Sequence, residues 1–321
     1  MKNAISTLFA PQNRATLKKK SFSLTLSVLR GLFLAGVCFT VLYPFLQQFF
    51  FSLMSVKDAF NPNIQYWPNH PTLVNYSAAL ELMKYGESLF NTVCISLLTS
   101  LVQLFSALMV GYGLARYEFK GRNFLFITVV LIMVLPPDLL LLSRFFQFRF
   151  FDVFGIIEAI TGSVPSLIDS YWPFVILGLT CTGLKNGLYI FMMRQFFLGF
   201  PKSIEEAAFV DGAGPFSTFL RVILPSSLSM SVTVFLFSFV WQWNDTIYSP
   251  VFLTTTSVFT KAISGISGTQ AALLIGTGAT TVAGSLVSNA AIVLICIPLI
   301  LVYIFCQKFF VQSIERSGLV G

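Results

Sequence analysis

The sequence predicts an all-α, polytopic membrane protein with six transmembrane helices, and three observations support this prediction. Of the 321 residues, 55% are hydrophobic and only 10% are charged, and the mean hydropathy is +0.80. A soluble domain carries about 25% charged residues, so this chain could not cover its surface with polar groups. Long uncharged stretches also recur at the length that a membrane-spanning helix needs, about 20 residues. These features exclude a soluble enzyme and a disordered protein.

The predicted spans lie in the gaps between charged residues. The first fills the uncharged stretch between Arg30 and Lys57. The third ends near the pair Pro136-Pro137, which can stop or kink a helix, and the fourth is interrupted by polar and glycine residues between 183 and 187. Six spans put both chain termini on the same side of the membrane. In chain order the spans cover residues 31–56, 88–115, 123–142, 171–193, 228–247 and 271–305.

The basic residues predict the orientation. Fourteen of the twenty Lys and Arg residues lie in the tails and connections on one side, and six lie on the other. Because basic residues accumulate in short cytoplasmic segments, we expect both termini to be cytoplasmic. This gives a cytoplasmic tail over residues 1–30, a membrane domain over 31–306 and a second cytoplasmic tail over 307–321. The six residues on the external side are Lys57, Lys84, Arg144, Arg149, Lys185 and Lys261.

Two external segments do not fit the pattern of a plain span. Residues 145–160 are apolar, but they carry Arg149, Asp152 and Glu158 and are too short to cross. This favours an amphipathic helix that lies at the membrane interface. Residues 57–87 are predicted to form an external loop, whose aromatic residues either dock a partner or form an interfacial belt.

The cytoplasmic connection between spans four and five, residues 194–227, is long and has the signals of two short helices. Ser203 and Glu206 have the spacing of a capping box, in which each side chain bonds the backbone N–H of the other residue. The first helix should end at Asp211-Gly212, because Gly tolerates the left-handed conformation that follows a helix.

A second helix should begin at Gly214-Pro215, with Pro in the first helical position, and should be broken by Leu224-Pro225. The two helices would form a helix–turn–helix elbow that presents apolar side chains to a groove on a partner. The aromatic residues expected to be exposed on it are Phe209, Phe216 and Phe219.

The segment EEAAFVDGAGPFSTFLRVILP resembles the EAA motif of binding-protein-dependent ABC importer permeases. That motif reads Glu-Ala-Ala, three residues, Gly, nine residues, Ile, one residue, Leu-Pro, and here Val222 stands where Ile is usual. The flanking sequences MRQFF and WQWND and the ending QKFFVQSIERSGLVG are similar to the carbohydrate-uptake branch, in particular to the smaller permease subunit of maltose importers. The resemblance covers roughly residues 30–321. The residues that match the motif are Glu206, Ala207, Ala208, Gly212, Leu224 and Pro225.

The resemblance implies a type I ABC importer permease fold and a set of partners. Such permeases pair with a second related subunit, with two ATPase subunits below and a solute-binding protein outside. It also implies a place in the bacterial plasma membrane. The coupling loop, residues 194–227, would sit in a cleft of the ATPase, and its coupling residues would be Ser203, Glu206, Ala207, Ala208, Asp211, Gly212, Leu224 and Pro225.

The chain contains no GxxxxGK[ST] pattern for phosphate binding, and no Gly-Lys pair at all. We therefore expect a non-catalytic subunit that binds no cofactor itself. ATP and Mg²⁺ would be bound by the partner ATPase.

Candidate solute contacts lie in two of the predicted spans. Lys185 and Asn186 fall near the middle of span four, where a charge is costly unless it faces a cavity or a partner charge. Lys185 could bond a hydroxylated solute, pair with an acid of the other subunit, or extend towards the interface. Trp241, Trp243 and Asn244 end span five and suit a sugar, although Trp at an interface is usually an anchor.

The function predicted from these features is that of a permease subunit in an ATP-driven importer of sugars or related polar solutes. A self-sufficient, ion-coupled secondary carrier is the alternative. Such a carrier is usually built from inverted repeats with buried ionisable residues, and no repeat relates spans one to three with spans four to six. An intramembrane enzyme is disfavoured by the single His and the lack of metal-ligand spacing.

Overall fold

The computed structural model describes residues 11–64 and 66–318, and over these residues the chain is all-helical, as predicted. It divides into two compact units, Met1–Leu73 and Val74–Gly321. Residues 1–10 of the predicted N-terminal tail and 319–321 of the predicted C-terminal tail lie outside the described residues.

The N-terminal unit contains the long helix α1 (Pro11–Ser52) and the short helix α2 (Val56–Ala59). The part of α1 from Ser23 to Ser52 is long and apolar enough to cross a membrane. Helix α1 thus includes much of the segment assigned to the tail before residue 31. Since Lys and Arg are good helix formers, charged residues do not end a helix.

A buried acid organises the segment that follows α1. Asp58 accepts a hydrogen bond from the backbone N–H of His70 at 2.7 Å, and its second oxygen lies 3.0 Å from Nδ1 of the His70 ring. The hydrogen bond with the ring and the one from the backbone lower the pKa of the Asp58 carboxyl. This end of the predicted external loop is therefore folded back on itself.

The C-terminal unit contains the remaining helices of the described chain, which are numbered in chain order. A 3₁₀ turn (Pro137–Leu140) precedes α6, and a π-helical turn (Phe219–Ile223) precedes α12. The α-helices are α3 (Val74–Leu82), α4 (Tyr85–Arg116), α5 (Arg122–Val134), α6 (Leu141–Arg149), α7 (Ile156–Thr161), α8 (Trp172–Leu179), α9 (Asn186–Gly199), α10 (Lys202–Val210), α11 (Pro215–Thr218), α12 (Leu224–Ser226), α13 (Leu228–Trp243), α14 (Ser249–Phe252), α15 (Phe259–Ser264), α16 (Gly268–Ile275) and α17 (Thr280–Gly318).

Three continuous helices are long and apolar enough to span a membrane, and two bent pairs raise the number to as many as five among the described residues. The pair built on α5 bends by 100°, next to the proline pair that predicted a kink, and the pair that ends in α13 bends by 75°. The six-span count therefore stays a prediction. The three continuous spans are Ser23–Ser52, Tyr85–Arg116 and Thr280–Lys308, and the bent pairs are Arg122–Val134 with Pro137–Arg149 and Pro215–Ser226 with Leu228–Trp243.

Two predicted spans are broken in the structure. The interruption expected in span four falls between α8 and α9, where Cys181 and Lys185 adopt positive φ values of 62° and 59°. The predicted span 271–305 is not one continuous helix, because α16 ends at Ile275, Gly276 follows with φ +76°, and α17 starts at Thr280. Backbone in the left-handed region cannot continue a right-handed helix.

The two external segments also differ from their predictions. Residues 145–160 do not form one amphipathic helix, since α6 and α7 are separated by Phe154 and Gly155 at positive φ. The region 57–87 is not a plain loop, because it includes the helix α3.

Helix α4 lies at the centre of the C-terminal unit and packs against α8, α9 and α13. Its buried positions are rich in Ser and Thr, small residues that let membrane helices approach closely. Gly187, in the first turn of α9, marks a close approach to α5. A Cβ atom on Gly187 would lie 2.8 Å from the backbone oxygen of Val129 on α5.

Candidate functional site

The elbow, residues 202–218, is the helix–turn–helix that the sequence predicted. Helix α10 ends as expected at Asp211, and Gly212 follows with φ +83°. The N–H of Gly212 donates to Phe209 O, and the N–H of Ala213 donates to Ala208 O, both at 3.0 Å. This pair of bonds is a complete Schellman motif. Helix α11 then begins at Pro215, in the predicted position.

The predicted capping box is absent. The residue that caps α10 is Pro201, and no side chain bonds to the cap. Ser203 lies one position inside the helix that starts at Lys202, so its backbone is helical. A capping residue needs an extended backbone, so Ser203 cannot take that role.

The inner face of α10 carries an ion pair that joins the elbow to the membrane helix α4. Glu205 Oε1 lies 2.8 Å from Arg116 Nε, and the two side chains are only 10% and 6% exposed. Arg116 Nη2 also donates to Phe200 O at 2.6 Å, just before α10. Glu205 is not among the coupling residues that the motif predicts. Its only signal was its place next to Glu206, together with a basic residue at the end of α4.

The outer face of the elbow is apolar and open. Glu206 is exposed beside it, and the side chains of Phe209, Val210 and Phe216 are 45%, 88% and 71% exposed. Phe219 is not part of this face, contrary to the prediction, because it is buried against the Tyr112 ring with a centroid distance of 5.0 Å. The elbow therefore has one anchored face and one face without a partner among the residues that the structure describes.

The break expected at Leu224-Pro225 lies slightly further along. The chain passes from α11 through the π-helical turn into α12, which contains Pro225 in its first turn, and bends only at Ser227. Proline lacks an N–H and is tolerated in the first turn of a helix. The motif residues Leu224 and Pro225 thus lie between the elbow and α13.

The candidate solute residues separate into two groups. Lys185 lies in the break before α9, and its Nζ is 4.8 Å from the centre of the Trp241 ring, which is 44% exposed. Trp243 is buried in the core instead, against Phe239 and Phe259. Asn244 is exposed, and its Nδ2 donates to its own helix. The structure thus brings Lys185 and Trp241 together and places Trp243 apart from them.

Asn186 is completely buried, and its amide joins three elements. Its Nδ2 donates to Gly178 O at 3.0 Å and to Ser106 Oγ at 3.3 Å, which ties the start of α9 to α8 and α4. Its Oδ1 has no hydrogen-bond partner among the described residues.

A cavity of about 110 Å³ lies beside Lys185, between the bend after α5 and the break before α9. Arg144 on α6 also lines it, a residue that sequence reasoning counted only as an external charge. Arg144 Nη1 donates to the Tyr248 hydroxyl, and Nη2 donates to Thr182 O at 2.8 Å. The residues around the cavity are Ile132, Met133, Leu135, Pro137, Leu140, Arg144, Thr182, Gly183, Leu184, Lys185, Asn186 and Tyr248.

This fold and this elbow define a class of membrane protein. Residues 107–316, more than half of the chain, match the family described as binding-protein-dependent transport system inner membrane component, and the chain belongs to this family. It is therefore a multi-pass permease component of an ABC importer. Membership favours this function over that of the self-sufficient carrier.

Individual relatives agree with the assignment. The chain is 27% identical over 261 residues to the arabinooligosaccharides transport system permease protein AraQ of Bacillus subtilis, covering 81% of each chain. It is 25% identical over 256 residues to the sn-glycerol-3-phosphate transport system permease protein UgpE of Yersinia enterocolitica, covering 80% of this chain and 82% of that protein.

A solved structure is similar over nearly the whole length. It is the crystal structure of a bacterial ABC transporter involved in the import of the acidic polysaccharide alginate. The TM-score is 0.63 at 23% identity, and the match covers 94% of this chain and 99% of that chain. The likeness shows that the two chains share the ABC importer permease fold.

Proposed function

We propose that this chain forms half of the pathway through which an ATP-driven importer moves sugars or related polar solutes. A second, related permease subunit supplies the other half, and two ATPase subunits bind from the cytoplasm. A solute-binding protein delivers the solute outside. The chain itself hydrolyses nothing and binds no cofactor, since ATP and Mg²⁺ belong to the ATPase. Both termini face the cytoplasm.

The observation that supports this proposal is the two-sided elbow. Its inner face is tied to α4 by the buried pair of Arg116 and Glu205, while its outer face exposes apolar side chains next to the motif residues. An apolar helix face without a partner suits a groove on another protein. Because the elbow is anchored to a membrane helix, a displacement of the ATPase would move α4 with it, as a rigid-body transition requires.

The solute class rests on the relatives. AraQ is named for arabinooligosaccharides and UgpE for sn-glycerol 3-phosphate, that is, for a sugar oligomer and a small polyol phosphate. We propose the same broad class for this chain. Lys185, Asn186, Trp241 and Asn244 remain the proposed solute-pathway residues, with the exposed Trp241 and the neighbouring Lys185 best placed for direct contact. Trp243 is withdrawn from this set because it is buried in the core.

The first test changes the exposed acid of the motif. Glu206→Lys reverses a charge on the outer face, and a misplaced charge at a protein interface costs enough to lower ATP-driven uptake by about tenfold or more. Uptake is measured with the complete transporter in proteoliposomes, together with co-purification of the ATPase. Glu81→Lys, which alters an exposed acid on α3, is the matched control and should leave uptake unchanged. Normal uptake by Glu206→Lys would contradict the docking role. Uptake by the chain alone, driven by an ion gradient, would contradict the ATP-dependent function.

The turn of the elbow offers a second test. Gly212 has φ +83°, a conformation that costs a residue with a side chain about 1–2 kcal/mol. Gly212→Val should distort the angle between α10 and α11 and lower uptake by about 5- to 30-fold. Gly214→Val is the control, because Gly214 has a negative φ and no atom within 4 Å of its Cβ position. Equal uptake by the two variants would show that the turn geometry is unimportant for coupling.

A further inference from the structure

The cavity beside Lys185 lies outside the EAA motif and the elbow, and none of its lining residues belongs to either. It is formed where two helices are interrupted, at the 100° bend after α5 and at the break before α9. Non-helical backbone at membrane depth is tolerated where it is buried in protein or lines a water-filled cavity. In transporters, such interrupted helices are where substrate sites are built.

Two basic residues line this cavity, and neither has a carboxylate partner in the described part of the chain. Arg144 donates only to neutral oxygens, and Lys185 lies over an aromatic ring. In the described part of the chain, neither makes an ion pair. Two positive charges in one small site within a membrane domain are costly unless an anion joins them.

The nearby acids do not form ion pairs with these two residues. Asp245 is buried, and its carboxylate accepts three backbone N–H bonds, from Ile247, Tyr248 and Ser249, at 2.8–2.9 Å. Asp138 is exposed on the 3₁₀ turn and forms no ion pair with either cation. Among the described residues, neither acid forms an ion pair with Arg144 or Lys185, so both cations can pair with an anionic ligand.

Two further groups complete the site. Helix α9 has 14 residues and begins at Asn186, so the positive end of its dipole lies at the cavity. Asn186 itself lines the cavity, is fully buried, and keeps its Oδ1 unpaired among the described residues. An amide oxygen is an acceptor and needs a donor such as a hydroxyl group.

We propose that this cavity binds a hydroxylated anion, that is, the carboxylate or phosphate group of an acidic sugar or polyol. Arg144, Lys185 and the start of α9 hold the anionic group, and Asn186 Oδ1 accepts from a neighbouring hydroxyl. This inference rests on the proposed function, because it specifies which of the imported polar solutes this subunit contacts.

The test uses the complete transporter with its binding protein in proteoliposomes and matched pairs of labelled probes. The pairs are D-galacturonate with D-galactose, each as monomer and trimer, and glycerol 3-phosphate with glycerol. Wild-type protein should take up the acidic member of at least one pair. Lys185→Met and Arg144→Gln should each lower this uptake by about tenfold, the effect of losing one charged hydrogen bond, whereas Lys185→Arg should retain most of it.

The controls remove equivalent charges outside the cavity. Lys84→Met changes another lysine at positive φ before a helix, and Arg149→Gln changes an exposed arginine on α6 itself. Neither should alter uptake. Preferential uptake of the neutral probes by wild-type protein would overturn this inference and leave the proposed function standing. An equal loss of acidic and neutral uptake in Lys185→Met would assign the lysine a structural role and also overturn it. No ATP-driven uptake of any acidic probe would also overturn this inference, whereas the proposed function is tested separately by the elbow variants Glu206→Lys and Gly212→Val.

Discussion

Replacing Arg116 with Met is expected to abolish most ATP-driven uptake, because it leaves the Glu205 carboxylate buried without its partner. Breaking a buried ion pair by removing one member costs about 3–5 kcal/mol. Arg116 also donates a hydrogen bond to Phe200 O, just before α10. Removing the arginine is therefore expected to displace α10 from α4. If the elbow leaves its anchored position, uptake should fall by about a hundredfold or more, at the usual 1.4 kcal/mol per factor of ten. The measurement is the initial uptake rate in proteoliposomes, with ATP hydrolysis followed in parallel.

The double variant Arg116→Met with Glu205→Met is the control for this prediction. It removes both charges, and a buried ion pair replaced by apolar residues of similar volume is often neutral for stability. Uptake should therefore recover substantially in the double variant. Near-normal uptake in the single variant, or a double variant as inactive as the single one, would show that the pair does not anchor the elbow.

Gly111→Val is expected to destabilise the packing of the C-terminal unit itself. A Cβ atom at Gly111 would lie 2.8 Å from Met193 Cβ and 3.1 Å from the backbone nitrogen of Arg194. Helices α4 and α9 would have to separate, and overpacking of this kind costs about 1–3 kcal/mol and sometimes more. The yield of monodisperse protein in detergent and its temperature of thermal inactivation should both fall.

A second glycine on the same helix supplies the comparison. Gly113 lies two residues further along α4 and has no atom within 4 Å of its Cβ position. Gly113→Val should therefore have the yield and thermal stability of the wild-type protein. Equal thermal stability of the two variants would mean that α4 and α9 are not held as closely as the structure describes.

The parts of the fold that sequence predicted well are those that local chemistry determines. The charges at Glu87 and Arg116 mark the ends of an apolar stretch, and α4 ends within a few residues of them. The elbow was predictable because Gly212 and Pro215 determine local backbone conformation. Glycine favours the end of one helix, and proline favours the start of the next. The break at Gly276 was not predicted. In a span that contains several glycines, the sequence does not show which of them adopts the left-handed conformation that ends a helix.

The site residues that sequence missed depend on long-range contacts. Glu205 and Glu206 are adjacent acids, and only the packing of α10 on α4 decides which one is buried. Arg144 and Lys185 come to one cavity because two helices are interrupted, a feature that hydropathy cannot detect. The residue type of Trp243 suits a sugar and so predicted a solute contact. Its position on α13 instead places the side chain in the core.

The π-helical turn between the elbow and α13 has a consequence for how the transporter can be altered. A π turn contains one residue more than an α-helix would use over the same rise, and one residue corresponds to about 100° of rotation in a helix with 3.6 residues per turn. Because the π turn accommodates its additional residue locally, deleting one residue from Phe219–Ile223 should regularise the helix and leave the direction of the apolar outer face nearly unchanged. Deleting one residue within the regular helix α13 should instead rotate the two flanking parts by about 100° relative to each other. The π turn is thus the place between the elbow and α13 where a single-residue deletion should preserve the orientation of the motif.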